Sequence, residues 1–163
     1  MASLKEEQIN YLYSALNYPV DMKLIFRASE HSFSALAFHL KCDNIPDTLT
    51  IVRTEFGKTV AGFSHYIWNK PTRKDKYVDD EERKTFLLQL DLQQKLVPMQ
   101  DTNLITVKPG YGPYFGGEGG NDLRIVDRCN TNRNSQANFP TSYNLDGANK
   151  YVKNDESKKI LGG

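Results

Sequence analysis

Apolar residues recur at intervals of three and four near the start of the chain, a spacing that is typical of an amphipathic helix. Ile9, Leu12 and Leu16 follow this spacing. Ser3 and Glu6 stand three positions apart, as the two members of a helix-starting capping box do. We therefore predict a helix over residues 4–17.

A second helical pattern follows after a short apolar stretch. Residues 23–27 are compact and apolar, which fits either a buried strand or an extended connector. Ser29 can cap the helix that comes next, and Asn44 and Pro46 end it. One face of this predicted helix carries Phe33, Leu36, Ala37 and Leu40.

From residue 48 the period changes to two, which indicates β-strands. Residues 48–54 are rich in β-branched side chains, residues 59–68 alternate, and Gly57 supplies a turn between them. This pattern predicts a hairpin. Three further short strands are predicted over residues 86–90, 104–107 and 122–126.

Helices that precede many short strands favour an α+β fold with an antiparallel β-sandwich. Residues 69–84 hold six basic and five acidic residues, so we expect a solvated loop there. The chain is polar after residue 144, and residues 155–161 could form one helical turn at most.

Composition limits the partners. A chain of 163 residues with 39% hydrophobic residues fits one domain with a real core. Lys and Arg number 21 against 20 Asp and Glu, so no overall field attracts nucleic acid or an anionic membrane. No signal segment and no run of about 18 apolar residues is visible, so we expect a cytoplasmic protein without a transmembrane segment.

Cys42 and Cys129 are the two cysteines. Two are too few for the disulfide framework of a small secreted domain or for a four-thiolate zinc site, which favours a reducing compartment. His39 precedes Cys42 by three positions, a spacing at which helical side chains can meet. We nevertheless expect Cys42 to be a buried small hydrophobe rather than a nucleophile.

The segment from residue 110 to 143 is rich in Gly and Asn, a composition that is also found in phosphate-binding and calcium-binding loops. Its glycines at 116–120 are followed by Asp122 and a predicted strand instead of a helix start with a lysine, which disfavours a phosphate loop. Asn130, Asn132 and Asn134 have calcium-loop spacing, but the turn glycine and bidentate glutamate are missing. We expect no metal and no cofactor, and Asn side chains that bond their own backbone.

The runs 28–34, Ala-Ser-Glu-His-Ser-Phe-Ser, and 112–117, Gly-Pro-Tyr-Phe-Gly-Gly, belong to an ordered series of residues along the chain. The order and spacing of the whole series are specific, and together they resemble a TLDc domain. The resemblance covers about residues 23–163. Its signature positions are Ser32, Phe33, Phe38, His39, Cys42, Asp43, Gly57, Gly62, Trp68, Gly112, Pro113, Phe115, Asp122, Cys129, Asn138 and Phe139.

The resemblance implies a domain over residues 22–163, with a helix and connector over residues 1–21 before it. It also implies a two-sheet antiparallel β-sandwich with flanking helices and without established chemistry. Members of the family are linked to resistance to oxidative damage and to binding of the vacuolar proton ATPase. TLDc domains continue into a further strand after the position of Gly163, so the resemblance implies that this final strand is missing. A truncation would explain this, and so would a strand that a partner supplies.

We therefore expect a non-catalytic protein-interaction module, located in the cytoplasm, at an organelle surface or in a cilium. Loops on a rigid scaffold are where recognition usually occurs. The alternatives are a structural subunit of a ciliary or cytoskeletal array and an antioxidant enzyme that uses Cys42 or Cys129. The expected partner contacts are Lys70, Arg73, Lys74, Gly116, Gly117, Glu118, Asn130, Asn132 and Asn134.

Overall fold

The computed structural model describes residues 4–69, 77–78, 84–117, 121–138 and 140–147. Within these residues the chain forms three helices and nine strands. The helices are α1 (Glu6–Leu16), α2 (Ala28–His31) and α3 (Ala35–Cys42). The strands are β1 (Thr48–Arg53), β2 (Thr59–Ser64), β3 (Tyr77–Val78), β4 (Phe86–Gln89), β5 (Gln94–Pro98), β6 (Ile105–Thr106), β7 (Tyr111–Phe115), β8 (Leu123–Val126) and β9 (Tyr143–Leu145).

The strands form two antiparallel sheets. The five-stranded sheet has the order β1-β2-β4-β5-β9, and the four-stranded sheet has the order β3-β6-β7-β8. Every strand pair is antiparallel. The predicted α+β sandwich with flanking helices is confirmed.

The predicted hairpin is β1-β2. Arg53 pairs with Thr59 next to the turn, and Gly57 has φ +74°, a left-handed value that glycine adopts without steric cost. β2 is buried on both faces. Val60 belongs to the cluster between the sheets, and Phe63 belongs to the cluster under α1, so the predicted alternation holds.

The main core lies between the two sheets and continues under α3. Trp68 is almost fully buried, its ring meets those of Phe38 and Phe115 edge to face, and its Nε1 donates to Thr48 Oγ1 at 2.9 Å. Trp68 is therefore a core residue. A Cβ on Gly62 would collide with the Phe115 ring, so glycine at this position lets the opposite sheet approach.

α1 covers the outer face of the five-stranded sheet, where Leu12 and Leu16 join a second apolar cluster. The helix begins at Glu6, and the backbone N–H of Lys5 donates to Gln8 Oε1 at 2.9 Å. The predicted capping box of Ser3 and Glu6 is therefore wrong, because Glu6 is the first helical residue and not the third.

The single helix predicted after Ser29 is in fact two helices. The first helix ends before Ser32, whose φ is +101°. Ser34 caps the second helix, because its Oγ accepts the N–H of Ala37. This restart rotates the buried face, which carries Ala35, Phe38 and Cys42. The predicted face was wrong: Leu36 is 65% exposed and Leu40 is 77% exposed.

Several elements were not predicted. β5, β7 and β9 have irregular sequences that contain Pro or few alternating apolar residues. Within the loop predicted over residues 69–84, Tyr77 and Val78 form β3 and pair with Thr106 and Ile105. Residues 23–27 form neither helix nor strand, so of the two alternatives the extended connector is right. The predicted helical turn at 155–161 lies outside the described residues.

Candidate functional site

A polar groove of about 340 Å³ opens beside β8. Its lining combines one aromatic ring, one guanidinium group, one carboxylate and three side-chain amides. The residues that provide them are Tyr111, Arg124, Asp127, Asn132, Asn134 and Gln136, with Gly110 and Val126 completing the wall. Two of the three asparagines that the sequence singled out therefore meet in one place.

The asparagines shape the backbone around the groove. Asn132 Nδ2 donates to the Asp127 carbonyl at 3.2 Å, and Asn132 Oδ1 accepts the Asn134 N–H at 3.1 Å. This second bond is the turn in which an Asn side chain mimics the backbone. The prediction that Asn side chains order this segment is thus confirmed for Asn132, while Asn130 is exposed and does not line the groove.

Residues 127–138, which we call the Asn-rich segment, are attached to the edge of the four-stranded sheet. Arg124 and Gln136 exchange two backbone hydrogen bonds of 2.8 and 3.0 Å, and Ser135 Oγ accepts the Val126 N–H. These bonds satisfy backbone groups that an edge strand would otherwise expose. The chain thus covers part of its own sheet edge at β8.

The same segment holds the start of α3. Asp127 Oδ1 accepts the Ala35 N–H at 2.7 Å, and the Arg128 N–H donates to the Phe33 carbonyl at 2.9 Å. The Asp127 carboxylate therefore satisfies one of the free N–H groups at a helix N-terminus. The groove wall is fixed from two sides, by β8 and by α3.

Arg124 is the central cation of the groove. Its guanidinium carbon lies 5.5 Å from the centre of the Tyr111 ring, and its Nη2 donates to Gln136 Oε1 at 2.8 Å and to the Asn134 carbonyl at 3.2 Å. A cation over an aromatic face is attracted by the ring. Lys108 Nζ lies 6.0 Å from the centre of the same ring, so two positive groups flank it.

Sequence reasoning missed Arg124, Tyr111 and Gln136. One available signal was Arg124 itself, an arginine between Leu123 and Ile125 in a stretch that reads as a strand. Charged residues inside apolar strands are uncommon, and a buried one is usually paired with another polar group. The residues next to Arg124 in the sequence do not indicate that Tyr111 and Gln136 contact it, because both come from other parts of the chain.

Asp122 is a buried carboxylate next to this region, with 1% exposure. Its two oxygens accept the backbone N–H groups of Thr141, Ser142 and Tyr143, and the Thr141 hydroxyl donates to Oδ2 at 2.7 Å. Burial raises the pKa of this carboxyl, and the four hydrogen bonds act in the opposite direction. The arrangement ties the start of β8 to β9 and leaves this carboxylate fully occupied by its own chain.

His39 and Asp43, two signature positions, connect α3 to the turn before β7. His39 Nδ1 lies 2.7 Å from Asp43 Oδ1, and Nε2 lies 2.9 Å from the Tyr111 carbonyl oxygen. Both ring nitrogens therefore have oxygen partners in the described structure. The histidine that could have activated Cys42 is engaged in positioning the groove's Tyr111 instead.

Both cysteine thiols are free. Burial, with a smaller contribution from Asp43, raises the pKa of Cys42 to about 11. Burial also raises the pKa of Cys129, partly offset by a backbone hydrogen bond. A raised pKa keeps the thiol protonated at neutral pH, whereas the thiolate is the reactive form.

The other predicted contact residues have different surroundings. Gly116 and Gly117 are buried, and a Cβ on Gly117 would crowd the Asn103 side chain. Their contact with a partner stays a prediction, and their burial disfavours it. The remaining predicted contacts lie outside the described residues: Lys70, Arg73, Lys74 and Glu118. Of two signature positions nearby, Asn138 is exposed and its N–H donates to the Asn121 carbonyl, and Phe139 lies outside the described residues.

No helix among the described residues is long and apolar enough to cross a lipid bilayer.

Comparison with known proteins gives one positive result. No curated protein and no solved structure matches the chain. The TLDc domain matches residues 2–161, which is nearly the whole chain, and the sandwich agrees with the fold that the resemblance implied. The chain therefore belongs to the TLDc domain family.

Proposed function

We propose that this protein is a non-catalytic interaction module and that the groove beside β8 receives a segment of a partner protein. The observation that carries the proposal is the rigid polar lining of the groove. Hydrogen bonds within the Asn-rich segment, to β8 and to α3 fix this lining before any partner arrives. Preorganisation of this kind improves affinity because less conformational freedom is lost on binding.

The lining suits a polypeptide. The Asn132, Asn134 and Gln136 amides each carry donors and acceptors, as a peptide backbone does. Arg124 and Tyr111 belong to the residue types that are enriched at binding hot spots. A partner segment with an acidic side chain that reaches the Arg124 guanidinium would match both features.

The partner that the family resemblance implies is the vacuolar proton ATPase, and the associated role is resistance to oxidative damage. In this proposal the protein docks on that complex and changes its assembly or activity, and the effect on oxidative damage is indirect. The raised pKa of both cysteine thiols supports this order of events, because a direct peroxide-reducing enzyme needs a reactive thiolate.

Filling the groove tests the proposal. Gly110 lies at the groove, it is exposed, and a Cβ there would meet no atom within 4 Å. Gly110→Tyr should therefore occupy the groove without straining the fold. We expect this variant to bind the purified vacuolar ATPase at least about tenfold more weakly than the wild type does, a difference of about 1.4 kcal/mol.

A matched control places the same side chain elsewhere. Gln100 is exposed in the connection after β5 and does not line the groove. Its neighbour Met99 and the residue Gly117 after β7 both donate N–H groups to Ser142, whereas Gly110 precedes β7 at its other end. Gln100→Tyr therefore adds a tyrosine away from the groove. We expect wild-type affinity for this variant and wild-type melting temperatures for both. If the wild type does not bind the ATPase, or if Gly110→Tyr binds as tightly as Gln100→Tyr, the proposal is wrong.

A further inference from the structure

The positive charge of Arg124 in the groove has no carboxylate partner. Its side chain donates two hydrogen bonds, both from Nη2 and both to uncharged oxygens, Gln136 Oε1 and the Asn134 carbonyl. The ion pairs among the described residues join other groups. Because a guanidinium stays charged at physiological pH, the groove contains a charge that no described carboxylate neutralises.

Arg124 also has a hydrogen-bond donor without an acceptor. Its Nε is buried and donates to no acceptor in the described part of the chain. Nη1 donates to no described residue either, and it is not buried in this way. Nearly all buried polar groups in native proteins have a partner, so an exception calls for an explanation. A ligand that accepts hydrogen bonds from this guanidinium would supply one.

Asp127, the acidic residue of the lining, is engaged elsewhere. Its Oδ1 accepts the Ala35 N–H at 2.7 Å, and its Oδ2 lies 3.8 Å from Arg128 Nε. The Arg128 side chain is 79% exposed and does not line the groove. The Asp127 carboxylate therefore serves the start of α3 and a surface arginine, and it forms no ion pair with Arg124.

Lys108 adds a second positive group beside the Tyr111 ring. Lys108 Nζ lies 6.0 Å from the ring centres of both Tyr111 and Tyr114, and the Arg124 guanidinium carbon lies 5.5 Å from the centre of Tyr111. No described carboxylate forms an ion pair with Lys108. Two like charges that share one ring repel each other, so an anion that approaches both lowers the electrostatic energy.

The arrangement favours a carboxylate over a phosphate. Guanidinium groups form strong, charge-assisted hydrogen bonds with carboxylates. A phosphate monoester carries a charge of about −1.5 to −2 at neutral pH, and Asp127 already adds a negative charge to the same lining. The amides of Asn132, Asn134 and Gln136 offer donors and acceptors to a polypeptide backbone that carries the carboxylate.

We infer that the groove recognises a carboxylate on the partner polypeptide, and that Arg124, assisted by Lys108, determines this specificity. The inference rests on the proposed function and names the chemistry of the segment that the groove receives. Gln136 and Asn134 are positioning residues, because they fix the guanidinium through Nη2. An Asp or Glu side chain and the free end of a chain share this chemistry, so the experiment separates these two sources.

Titration of the isotope-labelled full chain with short peptides, followed by NMR, tests the inference. The probes are acetyl-Gly-Gly-Glu-Gly-Gly-amide, the same peptide with Gln in place of Glu, and acetyl-pentaglycine with a free carboxyl end. We expect the Glu peptide to bind with a Kd of roughly 1 mM and to shift the Arg124 Nε–H signal and amides at residues 110–111 and 124–136. The Gln peptide should bind at least about tenfold more weakly, because it lacks the charge.

The pentaglycine peptide identifies the source of the carboxylate. If the Glu peptide binds more tightly than pentaglycine, the groove takes an acidic side chain. If pentaglycine binds more tightly, the groove takes the end of a chain. Both results support recognition of a carboxylate.

Charge-removing variants locate the recognition. Arg124→Gln should weaken binding of the Glu peptide at least about tenfold, and Lys108→Gln should weaken it about threefold. Arg128→Gln is the matched control and should stay within about twofold of wild type, because that side chain is exposed outside the lining. Melting temperatures are compared throughout, and Lys108→Gln keeps the test decisive if Arg124→Gln does not fold, since the Lys108 side chain donates no hydrogen bond to a described residue.

Several results would overturn the inference. These are equal binding of the Glu and Gln peptides, tighter binding of inorganic phosphate than of the Glu peptide, and equal binding by Arg124→Gln and Arg128→Gln. If the ATPase binds the wild type but not Gly110→Tyr while the Glu and Gln peptides bind equally, the groove proposal stands and the carboxylate inference falls. If the Glu peptide binds at Arg124 but the ATPase does not bind the wild type, the ATPase proposal falls and the carboxylate site stands.

Discussion

At the scale of single residues, Asp122 is the clearest case of a polar group whose role is structural. Three backbone N–H groups and one hydroxyl point at its carboxylate, and all come from residues 141–143. Since β9 begins at Tyr143, this carboxylate helps to position the last described strand of the five-stranded sheet. An acceptor-only group is what four donors require.

Asp122→Asn is expected to destabilise the fold by about 1–3 kcal/mol, because the new amide nitrogen cannot accept a hydrogen bond and leaves buried donors unpaired. Denaturant unfolding of the purified protein measures this loss. Asp146→Asn is the control, since Asp146 is exposed and should change stability by less than about 0.5 kcal/mol. Equal stability of the two variants would show that Asp122 does not have this role.

The thiol of Cys129 gives a prediction about pH. Because burial raises its folded-state pKa above the ordinary value, the thiolate appears only at higher pH. Alkylation by iodoacetamide should be slower at pH 7 than for a cysteine in an unfolded peptide, and its rate should rise as the pH increases through the alkaline range. Alkylation that is already fast at pH 7 and does not accelerate at higher pH would contradict this expectation. It would favour the alternative that the protein is an antioxidant enzyme.

The sequence was informative about residues whose bonds are local. Asn132 was expected to order its own loop, and it bonds the backbone at positions 127 and 134. Arg124 was not singled out, because its meaning depends on Tyr111 and Gln136, which the fold brings to it from other segments. Local hydrogen bonding can be read from sequence spacing, whereas a groove built from three segments cannot.

At the scale of elements, α3 shows how a cap decides which side of a helix is buried. Ser34 and Asp127 set the first turn, and Phe38 then points at Phe26 and Trp68. Leu36 and Leu40 are left on the solvent side. A periodic pattern alone allowed either face, because apolar residues occur on both.

Substitutions on the two faces of α3 should differ sharply. Phe38→Ala is expected to cost about 3–5 kcal/mol because it leaves a cavity between Phe26 and Trp68. Leu36→Ala should cost less than about 0.5 kcal/mol, since its side chain is mostly exposed. Thermal or denaturant unfolding of both variants checks this, and similar losses would mean that the helix is rotated from the position described here.

Strands were predictable where pairing is between chain neighbours. The β1-β2 hairpin combines alternation with a turn glycine, and both signals are local. β9 pairs with β5 across almost fifty residues, and β7 contains Gly112 and Pro113, which are poor strand formers. Tertiary packing decides these strands, so the residues themselves carry little signal for them.

At the scale of the whole molecule, the groove lies at one edge of the sandwich. The Asn-rich segment closes that edge of the four-stranded sheet and forms the groove. α1 shields the outer face of the five-stranded sheet. A rigid scaffold with recognition at its loops is the arrangement that an interaction module needs.

The proposed occupant of the groove beside β8 is a segment of a partner protein. Hydrogen exchange measured by mass spectrometry, with and without saturating purified vacuolar ATPase, reports whether the groove is covered. We expect slower exchange over residues 110–111 and 124–136 in the complex, and unchanged exchange in the exposed connector at residues 17–24. Binding that leaves exchange at the groove unchanged would contradict the proposal.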